Sequence, residues 1–216
     1  MSARFLTFEG IEGSGKSTQL RRLREALTAL EIPLVVTREP GGTELGSRIR
    51  ALLLKPTSNP MAPLTELLLY TADRAQHLTE TILPALERGE SVLCDRYLDA
   101  TLAYQGSGRQ IGDEAILALH QRPPLDCRPD RTLLFDLDAA TGLERARERN
   151  RAAGLDVTEG RFEDEALEFH ERVRQGYLAL AKAEPERFRR IDADSSIDKV
   201  ERRVREALSD WWPELT

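Results

Sequence analysis

The sequence holds only two cysteines, Cys94 and Cys127, with no CxxC and no Cys/His ligand spacing. That excludes a disulfide framework or a zinc-held fold, and leaves two reduced thiols, with Cys94 in an apolar run and therefore core. Positive charge is scarce as well: 31 Lys+Arg against 37 Asp+Glu leave a formal net charge of −6. A duplex-binding protein normally needs a basic footprint, so nucleic acid is excluded as the main partner. No stretch approaches the ~18 consecutive apolar residues of a membrane span. The opening Met1-Ser2-Ala3-Arg4 carries no hydrophobic signal region. A cytoplasmic protein with no membrane partner is expected. Repeats, low-complexity tracts and interdomain linkers are absent too, so residues 1–216 are expected to form a single domain. The three histidines, His77, His120 and His170, are too far apart for metal spacing, and surface or helix-face positions are expected for them.

What remains is 40% hydrophobic and 31% charged, enough apolar material for a sizeable core. Five strand-like runs, Phe5–Phe8, Leu34–Thr37, Ser91–Cys94, Thr132–Leu137 and Phe188–Ile191, alternate with segments of helical spacing. Among the helical segments are Leu20/Leu23/Leu27/Leu30, Leu45/Ile49/Leu52/Leu53 and Ile197/Val200/Val204/Leu208/Trp211. Alternation of this kind predicts an α/β fold with a parallel sheet covered by helices on both faces. Thr141-Gly142-Leu143-Glu144 reads as a capping box opening the helix after the fourth strand. Pro33 opens the second strand, where its missing N–H does least harm. Gly106–Asp113 and Asn150–Gly160 read as functional loops, Pro63–Leu86 as a long helical segment, and the helix ending in Trp211-Trp212 as a docking face.

The strongest signal follows the first strand. Gly10-Ile11-Glu12-Gly13-Ser14-Gly15-Lys16-Ser17 fits GxxxxGK[ST] in full, with a strand before it and an amphipathic helix after it, and these residues with Thr18 are expected to bind the nucleotide. Glycines let the backbone wrap an anion, and successive N–H groups with the helix N-terminus favour negative charge. Lys16 would reach the β- and γ-phosphates of a nucleotide, and Ser17 would offer its hydroxyl to Mg²⁺. Such a loop is shared by GTPase switches, ATPase motors and small-acceptor kinases. The guanine-reading Asn-Lys-x-Asp tetrapeptide is absent, and a motor usually needs a longer chain. An acceptor kinase needs a second anion site and arginines near it. Asp95-Arg96-Tyr97 follows the third strand, where a carboxylate near Mg²⁺ is expected. Arg38-Glu39-Pro40-Gly41-Gly42-Thr43, Arg74 and Tyr104-Gln105-Gly106 complete the set.

In this order the motifs closely resemble the thymidylate kinase family, from Arg4 to about Ile191. The resemblance implies a nucleoside-monophosphate-kinase-like fold with a five-stranded parallel sheet, ATP and Mg²⁺, dTMP as acceptor and a homodimer. It implies that Arg74 and Arg96 hold the dTMP phosphate and that Glu12 contacts the sugar 3′-hydroxyl. Thr101 and Gln105 would line the thymine pocket, and Tyr104 would fill the place of a ribose 2′-hydroxyl. Arg38 and Asp95, the latter with Ser17 at the metal, would stand near the transferring phosphoryl group. Tyr70 stands where many members carry the stacking phenylalanine, and its hydroxyl needs a partner. The P-loop has no arginine at its variable positions, so a lid at about residues 145–164 is expected to supply one. Arg145, Arg147, Arg149, Arg151 and Arg161 flank it; Arg161 best matches the family position, Arg149 is placed at the nucleotide, and the insert Ala152–Glu159 is longer than usual. A solvated face pairing Glu144 and Glu148 with the helix arginines suits the same residues. The loop Asp194–Ile197 would cover adenine by the same analogy. Two other readings stay open: a kinase for another deoxynucleotide or a deoxynucleoside, and a nucleotide-dependent regulatory protein.

Overall fold

In the computed structural model, residues 3–56, 59–153 and 161–215 are described. Five strands, β1 (Phe5–Glu9), β2 (Leu34–Arg38), β3 (Ser91–Asp95), β4 (Arg131–Asp136) and β5 (Phe188–Asp192), form one sheet in the order β2-β3-β1-β4-β5. Every pairing is parallel. The side-chain alternation of a strand sends Leu6, Phe8 and Leu93 to one core and Phe5, Val92 and Cys94 to another, so each face needs its own helices. The outer strands β2 and β5 are less buried than β1, β3 and β4, as edges are. Strand order reverses about β1, which is where a parallel sheet opens a crevice at its carboxyl end.

The helices are α1 (Lys16–Ala29), α2 (Glu44–Leu54), α3 (Pro63–His77), α4 (Leu83–Glu87), α5 (Leu98–Thr101), α6 (Asp113–Leu119), α7 (Ala139–Ala153), α8 (Leu167–Ala183) and α9 (Ile197–Ala207). Helices α3 and α4 are joined by one widened turn, Leu78–Ile82. Pro84 explains it: proline has no N–H to give the carbonyl four residues back and its ring crowds that carbonyl, so the turn opens.

Several sequence expectations are corrected here. The helix after β4 is opened by Asp138, whose Oδ1 accepts from the Thr141 backbone N–H at 3.1 Å; Thr141 lies inside the helix. Aspartate outcompetes threonine because its carboxylate also suits the positive end of the helix. Gly106–Gly108 is not loop: it belongs to a widened helical segment, Leu102–Gly108, continuing α5. Asn150–Ala153 is likewise the end of α7, and residues 154–160 of the expected lid lie outside the described residues. The last helix stops at Ala207, and Trp212 is buried in the core rather than offered as a docking face. Ile197, counted on the apolar face of that helix, is half exposed.

Candidate active site

The P-loop runs from the end of β1 into α1. Gly13 and Gly15 sit at φ 69° and 84°, backbone that side-chain-bearing residues rarely adopt, and no side chain caps α1. Its first N–H groups are therefore left for a ligand. The Lys16 ammonium donates to the Gly10 and Ile11 carbonyls at 2.9 and 2.7 Å and to Ser14 Oγ at 3.2 Å. Burial, then the nearby Arg96 charge, push its pKa down to about 7. Ser17 Oγ donates to Asp95 Oδ2 at 3.0 Å, joining the start of α1 to the end of β3.

Arg96 follows β3 at φ 68°, a left-handed conformation that costs on the order of 1 kcal/mol and persists only when its surroundings impose it. They do. Its guanidinium donates to the Gly10 carbonyl at 3.0 Å, the Tyr177 hydroxyl at 3.2 Å and Glu12 Oε1 at 2.9 Å, and lies 4.8 Å over the Tyr104 ring. Tyr104 donates to the same Glu12 oxygen at 2.5 Å. Burial alone would raise the Glu12 carboxyl, but Arg96, His170, Lys16 and Tyr104 outweigh it and hold it well below the usual carboxylate range. Among the described residues the other Glu12 oxygen is buried without a hydrogen-bond partner, with His170 Nδ1 3.6 Å away. Arg96 is thus the joint between the P-loop, β3 and α8.

Arg74 on α3 is 1% exposed, lines the site cavity, and has a partner on each of its three nitrogens. Its Nε donates to Glu39 Oε2 and its two terminal nitrogens meet His120 Nε2 and Thr101 Oγ1, all at 2.9–3.0 Å. His120 Nδ1 faces the Ile116 carbonyl at 2.7 Å, so that nitrogen carries the proton and Nε2 accepts from Arg74. Burial and Arg74 push the His120 pKa down to about 4, which keeps the ring neutral. Glu39, after β2, also meets His77 Nδ1 at 2.9 Å. In the widened segment that continues α5, Gln105 donates to Glu66 Oε1 at 2.7 Å.

All of this opens into one cavity of about 440 Å³. The cavity is lined by the P-loop from Glu12 to Thr18, by Arg38, Asp95 and Arg96, and by Tyr70, Arg74, Thr101, Tyr104 and Gln105. Of the flanking arginines, Arg145 and Arg149 line it and Arg161 does not: the Arg161 guanidinium pairs with Glu66. Arg149 bonds Asn150 Oδ1 at 2.8 Å, Arg147 the Glu163 carbonyl at 2.7 Å, and Arg145 reaches Asp194 at 3.4 Å. Arg149 also reaches Glu163 at 3.5 Å, so among the described residues none of these three arginines pairs with Glu144 or Glu148. Tyr70 has burial and Glu66 raising its phenol pKa, so its hydroxyl stays protonated.

The histidines are the largest departure from sequence. His77, His120 and His170 are all at most 3% exposed, and each stands directly behind a cavity carboxylate or guanidinium. Sequence reasoning also passed over Glu9, Glu66 and Tyr177, and gave Glu39, quoted within its motif, no role of its own. Glu9 ends β1 between the Tyr97 N–H and the Tyr177 hydroxyl, both at 2.7 Å, and burial, then Asp99, raise its pKa to about 8. The signal was present for Glu9, an acidic residue directly after an apolar strand run, as for Asp95.

A family model described as thymidylate kinase matches residues 8–204. The thymidylate kinase of Desulfovibrio desulfuricans is 54% identical over 204 residues, 94% of each chain. That of Alkalilimnicola ehrlichii is 52% identical over 206 residues, 95% of this chain and 92% of its own. The crystal structure of the thymidylate kinase from Ehrlichia chaffeensis matches with a TM-score of 0.74 at 34% identity, over 96% of this chain and 99% of that one.

Proposed function

The chain belongs to the thymidylate kinase family, transferases that phosphorylate dTMP to dTDP with ATP as donor towards dTTP, and from that membership we propose how its residues divide the work. The observation that carries the reading is the single cavity joining a phosphate cradle at one end to a neutral-and-arginine pocket at the other.

ATP phosphates lie in the P-loop, held by backbone N–H groups and by Lys16, which exchanges its loop carbonyls for the β- and γ-oxygens. The residues fit Mg²⁺: Ser17 Oγ and Asp95 Oδ2, 3.0 Å apart beside Lys16, are hard oxygen donors, and this ion usually takes only one or two protein ligands. When bound, the ion supplies neutralisation of the donor phosphates. At the other end Tyr70 stacks on the thymine, Thr101 and Gln105 meet its edge, Tyr104 crowds the 2′ position and Glu12 accepts from the 3′-hydroxyl. Arg96 and Arg74 hold the dTMP phosphate, Arg96 by bringing its fork between the two phosphates.

Arginine is needed in number. One like-charge pair 4 Å apart costs about 4 kcal/mol at an effective dielectric of about 20, and two phosphorylated ligands meeting end to end present several such pairs. Arg38, Arg96, Arg145 and Arg149 border the cavity where the pairs fall. Arg161 joins that set by exchanging Glu66 for phosphate. No general base is assigned, because phosphoryl transfer depends on positioning and charge neutralisation more than on proton abstraction.

The exposed leucines Leu45 and Leu52 of α2 and Leu64 and Leu68 of α3, on two helices packed together, support a homodimer through this face. A monomer in sedimentation velocity at micromolar concentration would contradict it. Among the described residues no helix is long and apolar enough to cross a membrane, which supports cytoplasmic residence; recovery in a membrane fraction would count against it.

The test is ADP formation by the purified protein with Mg-ATP alone and with dTMP, dUMP, dCMP, dAMP, dGMP or thymidine. Strong stimulation by dTMP and roughly 10- to 200-fold lower kcat/KM with dUMP are expected, the worth of one methyl group in a pocket. Stimulation by another acceptor instead would overturn the pocket assignment, and stimulation by none would favour the regulatory reading.

A further inference from the structure

Glu66 lies in the first turn of α3, one helical turn before Tyr70, and is fully buried. Its Oε1 accepts from Gln105 Nε2 at 2.7 Å and from Arg109 Nε at 3.3 Å; its Oε2 accepts from Arg161. A carboxylate can only accept. Facing it, the Gln105 amide must turn its NH₂ outward to Glu66, whichever way an amide might otherwise be drawn. Its carbonyl oxygen is then the atom left for the cavity that Gln105 lines, and among the described residues no hydrogen bond uses that oxygen.

We propose that Glu66 is a positioning residue that locks the Gln105 amide with its oxygen towards the acceptor, so that the pocket selects a pyrimidine bearing an N–H at ring position 3. This rests on the dTMP reading of the same cavity. Thymine and uracil carry that donor. Cytosine carries a lone pair there, which would face the lone pairs of Gln105 with no proton between them. A rejected partner leaves a buried polar group unpaired, and sites built around one hydrogen bond discriminate strongly for that reason. Arg109 reinforces the lock: it also pairs with Glu165 at 2.6 Å and lies over Phe169. With Gln105 and Arg109 both donating to Oε1, that oxygen stays turned to the amide when Arg161 leaves Oε2 for phosphate.

The experiment measures kcat/KM for dTMP and for dCMP in the wild type, Glu66→Gln and Glu66→Asp, with the KM for ATP alongside. In Glu66→Gln the Gln105 amide is free to reverse. The dTMP:dCMP ratio is expected to fall about 10- to 100-fold, with the KM for ATP unchanged and part of the ratio restored in Glu66→Asp, which keeps a carboxylate. Should Glu66→Gln not fold, Gln105→Leu leaves Glu66 in place and is expected to lower the ratio by a similar factor. A ratio that stays at the wild-type value while both substrates weaken together means Glu66 only supports the fold, and overturns the proposal. A wild type that uses dTMP and dCMP equally also overturns it, while leaving the kinase reading intact. A wild type that does not use dTMP at all overturns both.

Discussion

Lys16 shows at the scale of one residue what the free site lacks. Its ammonium is buried against carbonyl dipoles beside the Arg96 cation, and burial first, then that charge, bring its pKa down to about 7. Bound phosphates would reverse the second effect and add opposite charge, raising the pKa again. The sign follows: above about pH 7 the free protein has partly lost a proton that the nucleotide complex keeps. ATP binding should therefore take up protons between about pH 7 and 9, and its affinity should fall as pH rises through that window. Calorimetry in buffers of different ionisation enthalpy measures the uptake. Loss of most of it in Lys16→Met would assign it to this group, and a buffer-independent enthalpy in the wild type would contradict the account. Glu9 shifts the opposite way for the same reason, burial, and holds its proton to about pH 8 while fixing the Tyr97 N–H and Tyr177 hydroxyl behind Arg96.

At the scale of elements, the P-loop is held by helix α7 as much as by its own turns. Gly142 presses on it so closely that a β-carbon there would sit 2.6 Å from the Glu12 carbonyl and 2.7 Å from Ile11 Cδ1. Gly142→Ala should push the loop off α7, destabilise the protein by about 1–3 kcal/mol as overpacking does, and raise the KM for ATP more than that for dTMP. An ATP KM that rises no more than the dTMP KM would mean the loop does not feel the helix. Strands and helices were legible because their periodicity is local: Phe5–Glu9 and Ser91–Asp95 are apolar runs ending on an acid. The widened segment Leu102–Gly108 was not, since its two glycines read as loop, and what keeps it helical is contact from α8, where a β-carbon on Gly108 would lie 2.7 Å from the Phe169 ring. The histidines escaped for the same reason. His120 and Arg74 are 46 residues apart and meet only because the chain after α6, which packs on the widened segment Leu102–Gly108, returns to Arg74. Glu66 reads as one more polar residue of an amphipathic helix until Gln105 arrives from another element.

Taken whole, the molecule puts both functional ends on one side of the sheet, at the carboxyl edge where strand order reverses about β1. A P-loop and the pocket proposed for the acceptor share one cavity of about 440 Å³, bordered by Arg38, Arg96, Arg145 and Arg149, which would suit direct transfer between two bound nucleotides with water kept out. Separate sites, or a cradle alone, would favour hydrolysis. The central claim is that the γ-phosphate passes from ATP to dTMP without escaping to solvent. Phosphorus NMR of an equimolar mixture of Mg-ATP and dTMP with catalytic protein measures it directly. The account predicts dTDP and ADP rising together, one for one, with no growth of inorganic phosphate until both substrates approach equilibrium. Inorganic phosphate accumulating while the dTMP resonance stays unchanged would contradict it.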